Sequence, residues 1–254
     1  VAQASFIGGA WQAVDDDYPV VDPATGGLVG TAPRAGPAAV DAAVAAASSA
    51  LASWSATPLA ERCELLSRMA AAVESHRAEL TDLVIDETGA LAWFAEHVKV
   101  AFLRDRLAWH AQAEPTWLES TLRVPMPNEG ERTTQVVRQP VGVVACITPY
   151  NFQLPNVAAK LGAALVAGCT AVVKPAPQDP LATIRLFEII EGILPPGVAN
   201  LVTSDRVDVS EALVAHPDVD MVSFTGSTRV GTSIATATAG QLKRLLLELG
   251  GKSA

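Results

Sequence analysis

Short apolar runs alternate with helical stretches between residues 141 and 249 of this chain. Five runs rich in Val, Ala and Leu are separated by four segments whose apolar residues recur at helical spacing. Strands that are apolar throughout are buried on both faces, and an intervening helix makes successive strands parallel. The pattern predicts an α/β fold with a doubly wound, mainly parallel five-stranded sheet. The expected strands are 141–148, 170–174, 198–203, 219–224 and 243–249.

The two preceding segments predict a helical part and a hairpin. Residues 1–115 are mainly helical: five apolar residues between Val40 and Trp54 form one helical stripe, and a longer helical stretch breaks at Gly89. Residues 116–138 carry two stretches rich in Thr, Val and Arg around a polar turn at 127–130, which predicts a protruding β-hairpin. Such a hairpin serves subunit contact or is a plain sheet edge. The chain thus divides at 1–115, 116–138 and 139–254.

Charge and cysteine usage exclude several classes of protein. The 254 residues carry a formal net charge of −9, which argues against nucleic acid or anionic membranes as partners. The three cysteines are widely spaced, which argues against a disulfide framework and against a metal site. Neither a signal peptide nor a membrane-spanning run is visible, so we expect a cytoplasmic protein.

Unusual residues follow each expected strand, where the ligands of an open parallel sheet bind. Gly226-Ser227 lies between a strand and a helix, so free backbone N–H groups and the serine hydroxyl would bind an anion there. A glycine turn with a serine N-cap is an equally good explanation. Gly226 and Gly231 have P-loop spacing, but Thr232 replaces the required lysine, and the Rossmann-like sheet lacks a GxGxxG motif.

Four motifs resemble, in order, those of the N-terminal portion of the aldehyde dehydrogenase superfamily. The resemblance extends to Ile7-Gly8-Gly9, to the turn at 22–26 and to Glu87-Thr88-Gly89, and so covers nearly the whole chain. It implies NAD(P)-dependent oxidation of an aldehyde to a carboxylic acid through a covalent cysteine intermediate. The motifs are Thr148-Pro149-Tyr150-Asn151-Phe152, Lys174-Pro175, Phe224-Thr225-Gly226-Ser227-Thr228-Arg229-Val230-Gly231 and Leu247-Glu248-Leu249-Gly250-Gly251-Lys252.

Two catalytic roles are implied by the resemblance. Asn151 resembles the asparagine whose amide stabilises the oxyanion of the tetrahedral intermediate. Glu248 resembles the general base that activates water to hydrolyse the thioester. The apolar strand before Glu248 should favour its protonated form, which suits a base that works near neutrality. Judged on the residues alone, Asn151 is also a plausible turn asparagine and Glu248 a plausible helix cap.

The resemblance also implies a dinucleotide site in 139–254, with 1–115 as the helical part of the same cofactor-binding domain. Lys174 resembles the lysine that binds the adenine-side ribose, and Ser227 the pyrophosphate ligand at a helix start. The other expected cofactor contacts are Thr148, Tyr150, Ala176, Gly226, Val230 and Leu249.

Two departures from the family pattern bear on cofactor choice. Pro177 stands where many NAD-preferring members have a ribose-binding glutamate, and Ser204-Asp205-Arg206 replaces a glycine-rich turn. The Arg206 guanidinium would favour the 2′-phosphate of NADP, whereas Asp205 would oppose it. Arg206 is equally well explained as a solvated surface charge. We expect NAD, with NADP as the alternative.

The family's nucleophilic cysteine is expected beyond Ala254. Cys63, Cys146 and Cys169 lie within or beside predicted helices and strands, as small packed hydrophobes do. Without the thiolate no covalent intermediate forms, so the chain alone is expected to be inactive. Its expected partners are the C-terminal catalytic half and further copies of the enzyme. The alternative is a non-catalytic dinucleotide-binding or assembly module that needs a separate partner chain.

Phe152 and Ala159 are the expected substrate-pocket residues. Relatives often have tryptophan at the position of Ala159, so the resemblance implies a roomier apolar tunnel here. We therefore expect a hydrophobic or aromatic aldehyde as the substrate, and no metal.

Overall fold

The computed structural model describes residues 4–127 and 130–252. In chain order the strands are β1 Ala4–Ile7, β2 Ala10–Ala13, β3 Asp17–Val21, β4 Leu28–Pro33, β5 Glu119–Met126, β6 Gly130–Val137, β7 Val143–Ile147, β8 Thr170–Lys174, β9 Ala199–Leu201, β10 Met221–Gly226 and β11 Arg244–Leu249. The α-helices are α1 Pro37–Ala56, α2 Leu59–Ser75, α3 Arg77–Thr88, α4 Ala92–Phe94, α5 Ala101–His110, α6 Gln153–Val166, α7 Leu181–Ile189, α8 Val207–Ala215 and α9 Thr228–Thr238.

The main sheet has the order β11-β10-β7-β8-β9-β1-β2. The five expected strands are confirmed and pair in parallel from β11 to β9. Two strands from the N-terminal segment extend the sheet, so its described part has seven strands rather than five. All four residues of β1 are buried, and β1 pairs antiparallel with both β2 and β9. Burial of this short apolar run explains why it joins the sheet edge.

One buried side chain fastens β1 to the parallel strands. Asn200 of β9 is fully buried, and its Oδ1 accepts a hydrogen bond from the backbone N–H of Gly8 at 2.9 Å. Its Nδ2 donates to the carbonyls of Ala171 at 3.2 Å and of Gly197 at 2.8 Å. Because a buried amide is costly when its partners are lost, Asn200 holds three segments of backbone together.

Two apolar cores lie on opposite faces of the sheet, as in a doubly wound fold. Val144 and Cys146 of β7 face the core that includes residues of α2, α3, α5, α6 and α7. Val143 and Ala145 of the same strand face the core that includes residues of α1, α8 and α9. Period-two alternation places successive residues of a strand on opposite faces, so burial of all of β7 requires both helical layers.

The expected hairpin is formed by β5 and β6, a separate two-stranded antiparallel sheet. Most of its side chains are exposed, including Leu122 and Val124. Residues 128 and 129 of the expected turn lie outside the described residues.

The expected helix break at Gly89 is confirmed. Gly89 has a φ of 64°, a left-handed conformation that suits glycine, and it ends α3. A π-helical turn, Ala95–Val100, then connects α4 to α5. Among residues 4–127 and 130–252, no helix is both long and apolar enough to span a bilayer.

We predict that Gly162→Ala destabilises the fold. A Cβ at Gly162 of α6 would lie 2.6 Å from Cδ2 of the buried His110 on α5. Overpacking costs roughly 1–3 kcal/mol, more than the roughly 0.5–1 kcal/mol that alanine gains over glycine in a helix. Urea unfolding should therefore show a net loss of about 1 kcal/mol. Gly240→Ala is the control, because no described atom outside its chain neighbours and its own helix backbone lies within 4 Å of the new Cβ. Equal losses in the two variants would contradict the packing argument.

Candidate active site

The expected site residues lie along one edge of the sheet. Thr148 to Phe152 follow β7, Lys174 ends β8, Ser204 follows β9, and Gly226 ends β10. Since the five strands are parallel, their carboxyl ends share this edge with the end of β11, which carries Glu248 and Leu249. Residues that are far apart in sequence therefore meet around one set of strand ends.

Asn151 lies in the loop between β7 and α6. The loop begins from a fixed point, because the N–H of the buried Thr148 donates to the carbonyl of Lys174 at 3.2 Å. Asn151 is exposed and lines a cleft of about 920 Å³ together with Tyr150, Phe94 and other residues. Its amide is thus presented at a concave surface, where a reacting carbonyl could be bound.

The two expected substrate-pocket residues have different surroundings. Phe152 contacts Phe94 edge-on, with ring centroids 5.7 Å apart, and Phe94 lines the cleft that contains Asn151. Ala159 lines a second cleft, also of about 920 Å³, with Lys160 and Ser223. Sequence reasoning missed Phe94, because an aromatic residue within a helical stretch is usually a core residue.

Lys174 connects two of the strand-end loops. Its side chain is buried, and Nζ donates to the carbonyls of Pro175 at 3.2 Å and Ser204 at 3.1 Å. Burial lowers the pKa of Lys174 to about 8, and Asp205 partly opposes this shift. Ala176 follows in the first of these loops and is half-buried. The lysine thus fixes the two loops relative to each other.

Two glycines allow close packing where α9 begins. A Cβ at Gly226 would lie 2.4 Å from the Phe224 ring, and one at Gly231 would lie 2.5 Å from Leu249 Cδ2. Ser227 is the N-cap of α9, and its Oγ accepts from the N–H of Val230 at 3.3 Å. The Ser227 hydroxyl hydrogen and the first N–H groups of the helix are the kind of donors that bind phosphate.

Glu248 is exposed on β11, so the apolar burial expected around it is absent from the described residues. The strand's apolar side chains do not enclose it, because Leu245 and Leu247 pack on the opposite face. Arg244 and Leu246 share the face of Glu248 and line the second cleft. There the buried Lys160 donates from Nζ to Ser223 Oγ at 3.0 Å. Burial lowers the pKa of Lys160, and the charge of Glu248 partly opposes this shift.

The three cysteines are packed residues, as expected. Cys146 and Cys169 are buried, and burial raises the pKa of the Cys146 thiol to about 12. The half-buried Cys63 donates from Sγ to the Ala113 carbonyl at 3.8 Å. A thiol whose pKa is raised is a poor nucleophile at neutral pH. No cluster of three metal-ligating side chains occurs in the described part of the chain.

Residues 11–254 match the model of the aldehyde dehydrogenase family. The chain belongs to this family. It is 41% identical to 3-succinoylsemialdehyde-pyridine dehydrogenase of a Pseudomonas species and 38% identical to phenylacetaldehyde dehydrogenase of Pseudomonas fluorescens. Each alignment covers 98% of this chain and 51% of the relative. The chain therefore spans about half the length of these curated relatives.

The fold agrees with solved aldehyde dehydrogenases. Aldehyde dehydrogenase C of Pseudomonas syringae, solved as a mutant with NAD+ and octanal, superposes with a TM-score of 0.90 at 36% identity. That comparison covers 99% of this chain and 51% of the solved chain. The α/β Rossmann-like architecture of the aldehyde dehydrogenase family is therefore the fold of this half.

This aldehyde dehydrogenase half also carries a cluster of buried ionisable residues, Glu87, Lys99 and Asp179, in the cleft that Asn151 lines. Glu87 accepts from the backbone N–H groups of Leu181 at 2.8 Å and Ala182 at 3.0 Å, and so caps α7. Asp179 is 1% exposed, and neither of its carboxylate oxygens has a hydrogen-bond partner among the described residues. Lys99 lies nearby and donates to Thr88 Oγ1 at 3.1 Å. All three charged residues line the cleft of Asn151.

Burial dominates the titration of this cluster. It raises the pKa of Glu87 to about 7, while the two backbone hydrogen bonds lower it. Burial and the neighbouring Glu87 both raise the pKa of Asp179. The folded chain therefore binds protons at these carboxyls more tightly than the unfolded chain does.

We predict that the free energy of unfolding of the Asp179→Asn variant rises relative to that of wild type as the pH rises. Ionisation of the unfolded carboxyl, with a pKa of about 4, lowers the free energy of unfolding of the wild type above that pH. The amide does not titrate, so the variant escapes this loss. Denaturant unfolding at about pH 5 and about pH 8 gives the difference in free energy of unfolding between variant and wild type, and this difference should change between the two pH values. The exposed Asp82→Asn is the control. A difference for Asp179→Asn that is independent of pH would contradict the assigned shift.

Proposed function

We propose that this chain is the cofactor-binding half of an NAD-dependent aldehyde dehydrogenase that oxidises an aldehyde to a carboxylic acid. The observation that carries the proposal is the position of Asn151, Ser227 and Glu248 along one sheet edge, within the motifs by which the chain resembles its family. A binding module would have little use for an exposed amide and carboxylate at its ligand edge.

The chain's own residues would act on charge and protons. A thiolate from outside this chain adds to the aldehyde carbon, and the Asn151 amide donates a hydrogen bond to the resulting oxyanion. NAD, when bound, would supply the acceptor for the hydride that leaves this carbon. Water then attacks the thioester and gives a proton to Glu248, after which the C–S bond breaks and releases the acid.

The residues at the strand ends fit a dinucleotide. Ser227 and the start of α9 would hold the pyrophosphate, and Lys174 the adenine-side ribose. Gly226 and Gly231 support this role, because a Cβ at either position would clash with Phe224 or Leu249 and displace the helix start. Thr148, Tyr150, Ala176 and Val230 complete the proposed contacts.

The nucleophilic cysteine would come from the C-terminal catalytic half. Support comes from the three cysteines of this chain, two of them buried and the third half-buried against the Ala113 carbonyl. The exposed face of β11, with Leu246 and Glu248, would be covered by that half. These buried thiols also suit the alternative, a dinucleotide-binding module that assembles with a separate catalytic chain.

For the substrate we propose a hydrophobic or aromatic aldehyde. The contact between Phe94 and Phe152 beside Asn151 supports an apolar wall at the first cleft, and the small Ala159 leaves room in the second. The exposed apolar side chains of the β5–β6 hairpin support a role in homo-oligomer contact, in keeping with the division at 116–138. The free cysteines support a cytoplasmic, reducing location.

We predict that activity requires the cysteine-bearing half. The chain alone should form no NADH from an aldehyde, whereas the chain combined with a relative's C-terminal half should. In that assembly Glu248→Gln should slow thioester hydrolysis by roughly 10²–10⁴-fold and leave the burst of NADH intact. Asn151→Ala should instead slow the burst by roughly 10²–10³-fold. Turnover by the chain alone, or a normal steady state in Glu248→Gln, would refute these roles.

We predict that Ser227→Ala weakens the binding of ligands that contain a pyrophosphate. Loss of one hydrogen bond to a charged group should reduce ADP-ribose affinity by roughly tenfold. Adenosine, which lacks phosphate, should bind as before. Calorimetric titration measures both ligands, and circular dichroism confirms folding, because loss of an N-cap costs about 1 kcal/mol. Equal losses for the two ligands would contradict the assignment of Ser227.

A further inference from the structure

A bidentate ion pair lies on the loop that follows β9. Arg34, directly after β4, donates from Nε to Asp205 Oδ1 at 2.8 Å and from Nη2 to Asp205 Oδ2 at 3.0 Å. Its Nη1 donates to both carboxylate oxygens of Asp16 at 3.1 Å. The guanidinium also lies over the Tyr18 ring, 5.9 Å from its centroid. All three nitrogens of the guanidinium are therefore engaged by carboxylates.

This ion pair is fastened to the loop that Lys174 contacts. The N–H of Ala35 donates to the Thr203 carbonyl at 3.0 Å, and Ser204 Oγ donates to the Ala35 carbonyl at 2.9 Å. Lys174 Nζ donates to the Ser204 carbonyl at 3.1 Å. Arg34, Asp205 and the proposed ribose-binding lysine thus meet on one short stretch of backbone, although Arg34 and Asp205 are 171 residues apart.

The guanidinium of the neighbouring Arg206 is also paired, but with a residue in the first turn of α8, the helix that Arg206 precedes. Arg206 donates from Nε to Asp208 Oδ1 at 3.0 Å, and its Nη2 is hydrogen-bonded to Asp208 Oδ2. Arg206 and Asp208 are both exposed. Among the described residues two Arg–Asp pairs therefore lie beside this loop, and of the two it is the Arg34 pair that joins the loop to another part of the fold.

We propose that Asp205 selects NAD over NADP by occupying the Arg34 guanidinium. This inference rests on the proposed function, because it assigns a specificity residue to the proposed cofactor site. A ribose with a free 2′-hydroxyl needs no guanidinium at this loop. A 2′-phosphate, with about two negative charges, would have to displace Asp205 from Arg34 or lie beside its carboxylate. The carboxylates of Asp16 and Asp205 already outnumber the one guanidinium between them, so added negative charge is repelled.

The contacts of Arg34 also indicate how the preference for NAD over NADP would be reversed. Arg34 is held by Asp16 and by the Tyr18 ring as well as by Asp205. With Asp205 neutralised, the guanidinium keeps two of its supports and gains free N–H donors towards the loop. A fork of this kind binds phosphate in a bidentate manner.

The test measures NAD and NADP binding to the chain itself by calorimetric titration. Wild type should prefer NAD. Asp205→Asn should move the ratio of the two dissociation constants towards NADP by roughly tenfold, the value of one charge-assisted hydrogen bond. Arg34→Gln added to Asp205→Asn should abolish that gain. Asp82→Asn, which removes an exposed carboxylate on α3 and frees no guanidinium beside this loop, should leave the ratio within about twofold of wild type.

Each outcome bears on the proposal. An unchanged ratio in Asp205→Asn, or an equal shift in Asp82→Asn, would overturn the role of the Arg34 pair while leaving the proposed cofactor site standing. No binding of either nucleotide by folded wild type would overturn the cofactor site and this inference together. If Asp205→Asn does not fold, Asp205→Ser makes the same comparison.

Discussion

Burial of the central strands on both faces is the constraint on which the rest of this structure depends. Every residue of β7 and β8 is buried, so neither strand can exist without helices above and below it. Helices on both faces require crossover connections, and these make the strands parallel. Parallel strands end at the same edge, and there the loops are free to carry polar residues. The site at the strand ends is thus a by-product of how the apolar runs are covered.

A second level of order comes from buried polar side chains that connect distant backbone. Asn200 joins β1 to β8 and β9, Glu87 joins the end of α3 to the start of α7, and Lys174 joins two strand-end loops. Each of these groups would be costly to bury without its partners, so each specifies which segments must be neighbours. Apolar packing supplies most of the stabilisation, whereas these tethers fix the positions of β1, of the start of α7 and of the loops after β8 and β9.

The predictable part of the fold was the part governed by local pattern. The runs that became β7, β8 and β10 are rich in apolar residues, and Gly89 marked a helix end by its freedom at positive φ. The four residues of β1 do not by themselves reveal that the strand pairs with β9 through Phe6 and Leu201. The candidate residues at the strand ends followed from topology and motif, whereas the exposure of Glu248 and the separate surroundings of Phe152 and Ala159 depend on packing. Nothing local in Arg34 or Asp205 indicates that they pair across the chain.

The capture of β1 by β9 imposes an order of events during synthesis. Phe6 pairs with Leu201, and the N–H of Gly8 needs the side chain of Asn200. A ribosome adds roughly 5–20 residues per second, so the first strand waits on the order of 10–40 s for its partner to emerge. Throughout that interval β1 can pair with β2, whereas its other side lacks its native neighbour β9. Completion of the sheet at β1 must therefore wait until Asn200 and Leu201 have been synthesised.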